Sequence, residues 1–318
     1  YLRVRTSSTL ILPLRVQEAT GFHEADREQQ YTLGIYLGFL LVMMVFNLAL
    51  FAYTKERNHL YYVIYSLCFI LYQLSFKGLA FYYLWPDSPG WANTALPFFA
   101  TLAILAGTVF SQKYLRIGQY LPTLNRVINI LDVVLAAAVV LTLVAEYSLS
   151  IRIVSLAGAL AIFFIPIGVA CRRRGSRSAL YYLIAWSFFL AGVFMETMRS
   201  FALMPSNFFT EYATMIGSAF QAVLLTLGLA DRFNRVNREN DRLREVHKEL
   251  GIARKILHSI LPEKAPEVPG IRIICSYRST EEVGGDFYDF HHTGEGKFGV
   301  LIADVSGHGL PAALISSM

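Results

Sequence analysis

Charge is scarce in this sequence. Asp, Glu, Lys and Arg make up 16% of 318 residues, where a soluble domain carries about 25%. Cysteine is scarce as well. The three present, Cys68, Cys171 and Cys275, show no metal-ligand spacing, and an odd count argues against a disulfide framework. Cys171 stands beside three arginines and could carry palmitate, but a plain juxtamembrane thiol is the simpler reading. Neither an initiating methionine nor a signal-peptide pattern opens the chain at Tyr1, and it stops at Met318 inside an apolar run. Both ends read as cut from a longer protein.

What is abundant is apolar sequence, 55% of the chain. It falls into blocks of roughly 20 residues, the length that crosses a bilayer core as a helix. Seven blocks are legible, at about 33–53, 60–79, 92–110, 127–145, 151–170, 179–198 and 212–230, with connections too short to hold domains. The net charge of +5 does not point to nucleic acid, because the basic residues stand beside apolar blocks. The first, third and fifth connections carry Lys55 and Arg57, then Lys113, Arg116 and Arg126, then Arg172, Arg173, Arg174 and Arg177. The others carry little beyond Lys77, Arg152 and Arg199. The positive-inside rule then places the odd connections and the C-terminus in the cytoplasm of a multi-pass membrane protein, with the N-terminus outside.

Aromatic residues gather at block ends: Tyr61, Tyr62, Phe81, Tyr82, Tyr83, Trp85 and Trp91. They are expected at headgroup level. Asn47, Gln73, Asn129, Asp132, Glu196 and Gln221 lie within the blocks and should face the bundle interior, since polar groups are costly in lipid. Asp132 is the one to watch as a ligand or signalling site; the plainer reading is a hydrogen-bonded packing residue.

Residues 1–30 read as the end of an extracytoplasmic β domain and a linker. Leu2 and Val4 alternate with Arg3 and Arg5, and Leu10, Leu12 and Leu14 repeat the alternation, a pattern of half-buried strands. Residues 21–30 are then a polar linker. A terminal β domain, seven spans and a cytoplasmic output resemble the bacterial seven-helix receptors with diverse intracellular signalling modules. That resemblance implies ligand sensing, with an outer domain like a carbohydrate-binding jelly roll.

After residue 230 the composition changes. Residues 231–261 are rich in Arg, Glu and Asn, and 231–260 contain no proline. Val236, Leu243, Leu250 and Leu257 recur every seventh position, with Val246, Ala253 and Ile260 between them. This is a coiled-coil seam of about four heptads, so a homodimer is expected. Glu239 interrupts it and Gly251 weakens the helix. A lone amphipathic helix packing on the next domain is the alternative. His247 and His258 lack the acidic and proline context of a kinase phospho-acceptor and read as ordinary helix residues.

Residues 262–318 open a different kind of domain. Pro262, Pro266 and Pro269 end the helix. Ile271 to Tyr277 reads as a strand, Glu281 to Phe290 as E-E-V-G-G-D-F-Y-D-F, and 294–296 as a tight turn. Phe298 to Ile302 is an apolar strand running into A-D-V-S-G-H-G-L-P-A-A-L from Ala303. Asp286 starts one strand and Asp304 closes another, so two antiparallel neighbours could present both carboxylates at one sheet edge. Hard divalent ions take such oxygen ligands.

The two motifs together resemble the start of the SpoIIE/RsbU-type branch of the metal-dependent, type-2C (PPM) protein phosphatases, as do I-L-P-E-K at 260–264 and the Ser276–Tyr277 strand. The resemblance implies an α/β sandwich binding two Mn2+ or Mg2+ ions. It makes Asp286 and Asp304 metal ligands and adds the Val305 carbonyl; Asp289 matches a recurrent motif residue and reads as structural, and His308, a candidate general acid, reads as a turn residue. It also implies a phosphoserine or phosphothreonine protein substrate, such as an anti-sigma-antagonist-like regulator. The family's later acidic ligands have no counterpart before Met318, so this stretch alone is expected to be inactive. Three readings stand beside this one. A nucleotide cyclase of the adenylate type can also follow a coiled coil ending in Leu-Pro, but its metal-carboxylate pattern is absent. A diguanylate cyclase shares Gly284-Gly285-Asp286, but its signature continues with an acidic residue where Phe287 stands; a non-catalytic ligand-binding receptor belongs to a different class.

The expected fold is therefore an all-α seven-helix membrane bundle, a coiled-coil helix, and the start of a type-2C phosphatase-like α/β sandwich.

Overall fold

The structure is a computed structural model. It describes residues 19–262, 266–267, 270–276, 286–294 and 297–305, with side chains from residue 27 onward except 253–254, 257–258, 260, 292–293 and 297. The strands expected in 1–16, the glycine pair 284–285 and the turn at 307–309 lie outside the described residues. The chain divides into two compact units, Tyr1–Arg232 and Phe233–Met318.

The first unit is helical. α1 (Ala19–Thr54), α2 (Arg57–Phe76), α4 (Pro89–Leu115), α6 (Pro122–Val144) and α9 (Ala179–Ser200) are single spans, with short α3 (Leu79–Tyr83) and α5 (Ile117–Tyr120) in the connections. The fifth span is broken into α7 (Tyr147–Ala159), a 3-10 turn (Leu160–Phe163) and α8 (Phe164–Arg173). After α10 (Phe208–Glu211) comes α11 (Ala213–Ile260). Seven of these stretches are long and apolar enough to cross a membrane, each containing or nearly containing a block read from sequence. The linker expected over 21–30 is helical, because α1 starts at Ala19. No proline or glycine pair interrupts 22–33, so nothing stops the helix from growing back from its apolar part.

The bundle closes around two packed clusters. Tyr62, Phe110, Tyr114, Tyr182, Trp186, Leu225 and Leu229 form one; Leu33, Leu40, Phe69, Ala103 and Met215 belong to the other. Lipid tails are as apolar as leucine, so association of helices in a bilayer depends on close fit and polar links. The sixth and seventh spans touch through backbone. A Cβ on Gly217 would lie 2.6 Å from the Phe188 carbonyl oxygen, and one on Gly192 would lie 2.4 Å from that of Ala213.

Burial corrects two expectations. Tyr62 is a core residue, 2% exposed, since its ring meets Phe110 edge-on. Tyr82 and Tyr83 stay at the surface, as headgroup anchors should. Asn47, Gln73 and Gln221 are buried, whereas Asn129 is exposed. The inward face of α6 runs through Ile128, Leu135, Val139 and Thr142, and Asn129 lies about 100° from Ile128. It lies only one turn from Arg126, near the basic end, where polar groups find water.

In the second unit, β1 (Asp286–Gly294) and β2 (Lys297–Asp304) form an antiparallel hairpin. Gly294 has φ +81, a left-handed conformation that favours glycine, and the ladder shifts there. The strand expected over 271–277 is not formed. Ile271 makes an isolated bridge, 272–276 are irregular, and Tyr277 lies outside the described residues. Ile274 is 79% exposed. A strand exists only where a neighbour takes its backbone N–H and C=O groups, and the described sheet consists of β1 and β2.

Candidate functional site

Two arrangements of side chains stand out, one in each unit. In the hairpin, the antiparallel register sets Asp286 directly opposite Asp304, with Tyr288 opposite Ile302 and Phe290 opposite Val300. Directly opposed residues share a face, with Cβ atoms about 4.5–5.5 Å apart. Both carboxylates are exposed at the open end of the hairpin. Val305 follows Asp304 and is half-buried. Asp289, three residues from Asp286, belongs to the other face. There its Oδ1 accepts from the Phe290 N–H at 2.8 Å, and its Oδ2 lies 3.2 Å from His291 Nε2. Both partners are local. Among the described residues no group of three or more His, Cys, Asp or Glu side chains is placed to hold a metal. His308 lies outside them.

On the face it shares with Asp286, β1 is aromatic: Tyr288 and Phe290 meet at 5.8 Å, and Phe290 stacks on Phe298 at 5.8 Å. The Tyr288 hydroxyl donates to the Pro262 carbonyl at 3.1 Å, tying the hairpin to the segment that ends α11.

The second arrangement is a ladder of polar contacts along the seventh span. Tyr36 Oη and Ser218 Oγ lie 2.7 Å apart, and Gln73 Nε2 donates to the same tyrosine at 2.9 Å. The Tyr65 hydroxyl donates to Gln221 Oε1 at 3.2 Å. Asn47 Nδ2 donates to Thr226 Oγ1 at 2.9 Å, while its Oδ1 lies 3.0 Å from His59 Nδ1. Each rung joins α11 to α1 or α2.

Where α11 leaves the bundle, the Arg232 side chain closes the series. Its Nε lies 3.4 Å from Glu56 Oε1 in the first connection. Its Nη1 donates to the carbonyls of Tyr114 at 3.1 Å and Lys113 at 3.4 Å. Those carbonyls belong to the last turn of α4, and that of Lys113 also accepts from the Arg116 N–H at 3.4 Å. One guanidinium, with its fixed fork of donors, thus ties the seventh span to the first connection and to the third span.

Sequence reasoning found Asn47, Gln73 and Gln221 but missed Ser218, Thr226, His59 and the Glu56–Arg232 pair. Serine and threonine carry little signal within an apolar block. Arg232 was visible only as one more basic residue beyond a span. Asp132, singled out from sequence, accepts from Thr108 Oγ1 and Gln112 Nε2, both at 2.7 Å. It is a packing link between the third and fourth spans. His247 Nδ1 lies 2.8 Å from the Leu243 carbonyl one turn back, an ordinary helix contact.

Comparison with known proteins gives three findings. A curated relative, described as phosphoserine phosphatase RsbP of Bacillus subtilis (strain 168), is 36% identical over 69 residues, which cover 22% of this chain and 17% of that protein. No solved structure matches the chain. The family described as 7TM diverse intracellular signalling matches residues 29–232, a segment that takes in all seven apolar blocks read from sequence and ends at the Arg232 clamp. The chain is a multi-pass membrane protein and belongs to the 7TM diverse intracellular signalling family.

Proposed function

We propose that the chain is the sensing and connecting part of a transmembrane receptor controlling a metal-dependent phosphatase, whose substrate is a phosphoserine or phosphothreonine on a regulatory protein. The observation carrying the catalytic half is the register pairing of Asp286 with Asp304. Like charges placed directly opposite across a strand pair are destabilising, and a hard divalent cation turns that repulsion into shared ligation. The donor set fits: two exposed carboxylates at one end of a hairpin, with the Val305 carbonyl next in the chain. Asp286, Asp304 and Val305 would hold Mg2+ or Mn2+, which when bound activates water and neutralises phosphoryl charge. Asp289 keeps to the opposite face and holds the local backbone through its bond to Phe290. The partial likeness to a phosphoserine phosphatase supports the same reading.

The regulatory half rests on α11. The positive-inside rule puts the end carrying Arg116, Arg126 and Arg172–174 in the cytoplasm. Val236, Leu243 and Val246 are exposed along the helix beyond Arg232, in the heptad positions of a dimer seam. A signal that shifts the seventh span must break the rungs at Ser218, Gln221 and Thr226. At roughly 0.6 kcal/mol for each interhelical hydrogen bond, the three hold one arrangement by about 2 kcal/mol. A bias of that size is readily reversed by a ligand with differential affinity.

The test is phosphate release by the intact protein from a phosphoserine protein or peptide. Release should require Mn2+ or Mg2+ and fall by about a hundredfold or more in Asp304→Asn, since even residues that only orient metal ligands contribute 10–100-fold. Metal-independent release would overturn the reading. So would cyclic dinucleotide production from GTP, or an intact protein that binds ligand and hydrolyses nothing.

A further inference from the structure

The fifth span is the irregular one. Its helix passes through a 3-10 turn at Leu160–Phe163 and then meets Pro166, which has no N–H to give and displaces its own backbone. Beside this break lies a cavity of about 440 Å³ between the third, fourth and fifth spans. Its lining is almost wholly apolar, with Leu124, Leu131 and Leu135 on one side and Leu160, Ile167 and Ala170 on the other. It is far larger than a structural water needs, and its walls offer water almost no partners.

Two features identify the occupant. The first is length. From Leu124 to Leu135 along α6 is roughly 16 Å at 1.5 Å per residue, close to half of a bilayer core of about 30 Å. The groove therefore runs the depth of one leaflet. The second is charge. The groove ends beside Leu121, Leu124 and Ala170, where the Arg174 guanidinium donates to the Tyr120 carbonyl and joins the ends of the fourth and fifth spans. Arg172 and Arg173 follow Ala170 immediately beyond Cys171, while Arg126 lies on the far face of α6, about 160° from the groove-lining Ile128. Arg172 and Arg173 are exposed, and among the described residues no carboxylate lies within 4 Å of them.

We propose that this groove is a binding site for one anionic phospholipid, its acyl chain against the broken fifth span and its phosphate beside Arg172 and Arg173. Basic pockets between spans suit such headgroups, and arginine is the cation matched to phosphate. The site serves the bundle whatever the output domain does, so it stands or falls apart from the phosphatase reading.

The experiment is lipid retention by the intact protein in detergent. The protein is mixed with equal amounts of phosphatidylglycerol and phosphatidylcholine carrying identical chains, and retained lipids are counted by native mass spectrometry. One phosphatidylglycerol should be retained in preference, by roughly tenfold or more, since each arginine near an anionic surface contributes a factor of about five. The pair Arg172→Gln and Arg173→Gln should abolish the preference. Ala170→Phe, which fills the basic end of the groove, should abolish retention. Val127→Trp, on the exposed rim, does the same job should Ala170→Phe lower the melting midpoint. Equal retention of both lipids would overturn the proposal. So would retention that survives the groove-filling variants, which marks a basic surface only, or displacement by soluble glycerol phosphate, which marks a free-anion site.

Discussion

The two units use apolar residues in opposite ways. Up to Arg232 the chain buries large side chains among its own helices: Tyr62, Tyr114, Tyr182 and Leu225 are at most 2% exposed. Beyond Arg232, Leu261 is the one buried apolar side chain among the described residues, while Val236, Leu243, Val246, Val300 and Ile302 are 42–80% exposed. The bundle is a finished object that needs lipid around it. The second unit presents regular apolar rows that need a partner. Isolated two-stranded hairpins are marginal in water, and an amphipathic helix with an uncovered seam gains its stability only on association.

The largest effect should come from breaking the bundle's self-sufficiency. Gly217→Leu would drive a side chain into the Phe188 carbonyl, where even the first carbon has 2.6 Å. Backbone cannot move aside as a flexible side chain can, so the cost should reach about 3 kcal/mol or more. Detergent-solubilised protein should lose most of its monodisperse yield and melt well below wild type. The reverse experiment comes next. Leu243→Asp places charge at the centre of the exposed seam, and each chain of a dimer would lose a leucine contact of about 1.5–3 kcal/mol. Cross-linking through the helix should collapse while the bundle's melting midpoint stays within a degree. An unchanged cross-linking yield would mean that the helix packs on its own chain.

Arg232→Ala tests the junction and should have an intermediate effect. The guanidinium is partly buried, with Glu56 opposite it and two α4 carbonyls below. Its removal should cost about 1–2 kcal/mol, near the cost of an unmade hydrogen bond to a charged group. Exchange of the amides just beyond residue 232 should speed up, and the dependence of output on stimulus should change. Arg232→Lys should rescue poorly, because an ammonium group cannot span carboxylate and carbonyls in one plane.

Much of this was legible in the sequence, for a physical reason. Seven apolar blocks each have one stable answer in lipid, a helix, so their positions followed from length alone. The opposition of Asp286 and Asp304 followed from their places at the start of one strand and the end of the next. What escaped depended on distant packing. Tyr62 has the same composition signal as Tyr61 yet turns inward. Residues 271–276 have a strand's pattern but, among the described residues, form only the isolated bridge at Ile271. The rungs at Ser218 and Thr226 use hydroxyls that, in an isolated helix, simply bond the preceding turn, as Ser111 does with Gly107.

The smallest expected effect is at the residue that the sequence made most conspicuous. Asp132 lies in a span, and a carboxylate there is a functional suspect by default. Its two oxygens, however, are each met by a single donor, from Thr108 and Gln112 of the same neighbouring helix, both at 2.7 Å. Neither donor is a cation, and neither belongs to the seventh span. In Asp132→Asn the carbonyl oxygen keeps one of these donors, and the new amide can face the Gln112 carbonyl if that side chain turns over. The exchange preserves shape and the number of bonds, so the midpoint of thermal melting should move by no more than the equivalent of about 0.6 kcal/mol. The stimulus response should be unaltered. A lost or constitutive response without a change in melting would show that charge at Asp132 itself carries the signal, and would move the sensing step from the seventh span to the interface of the third and fourth.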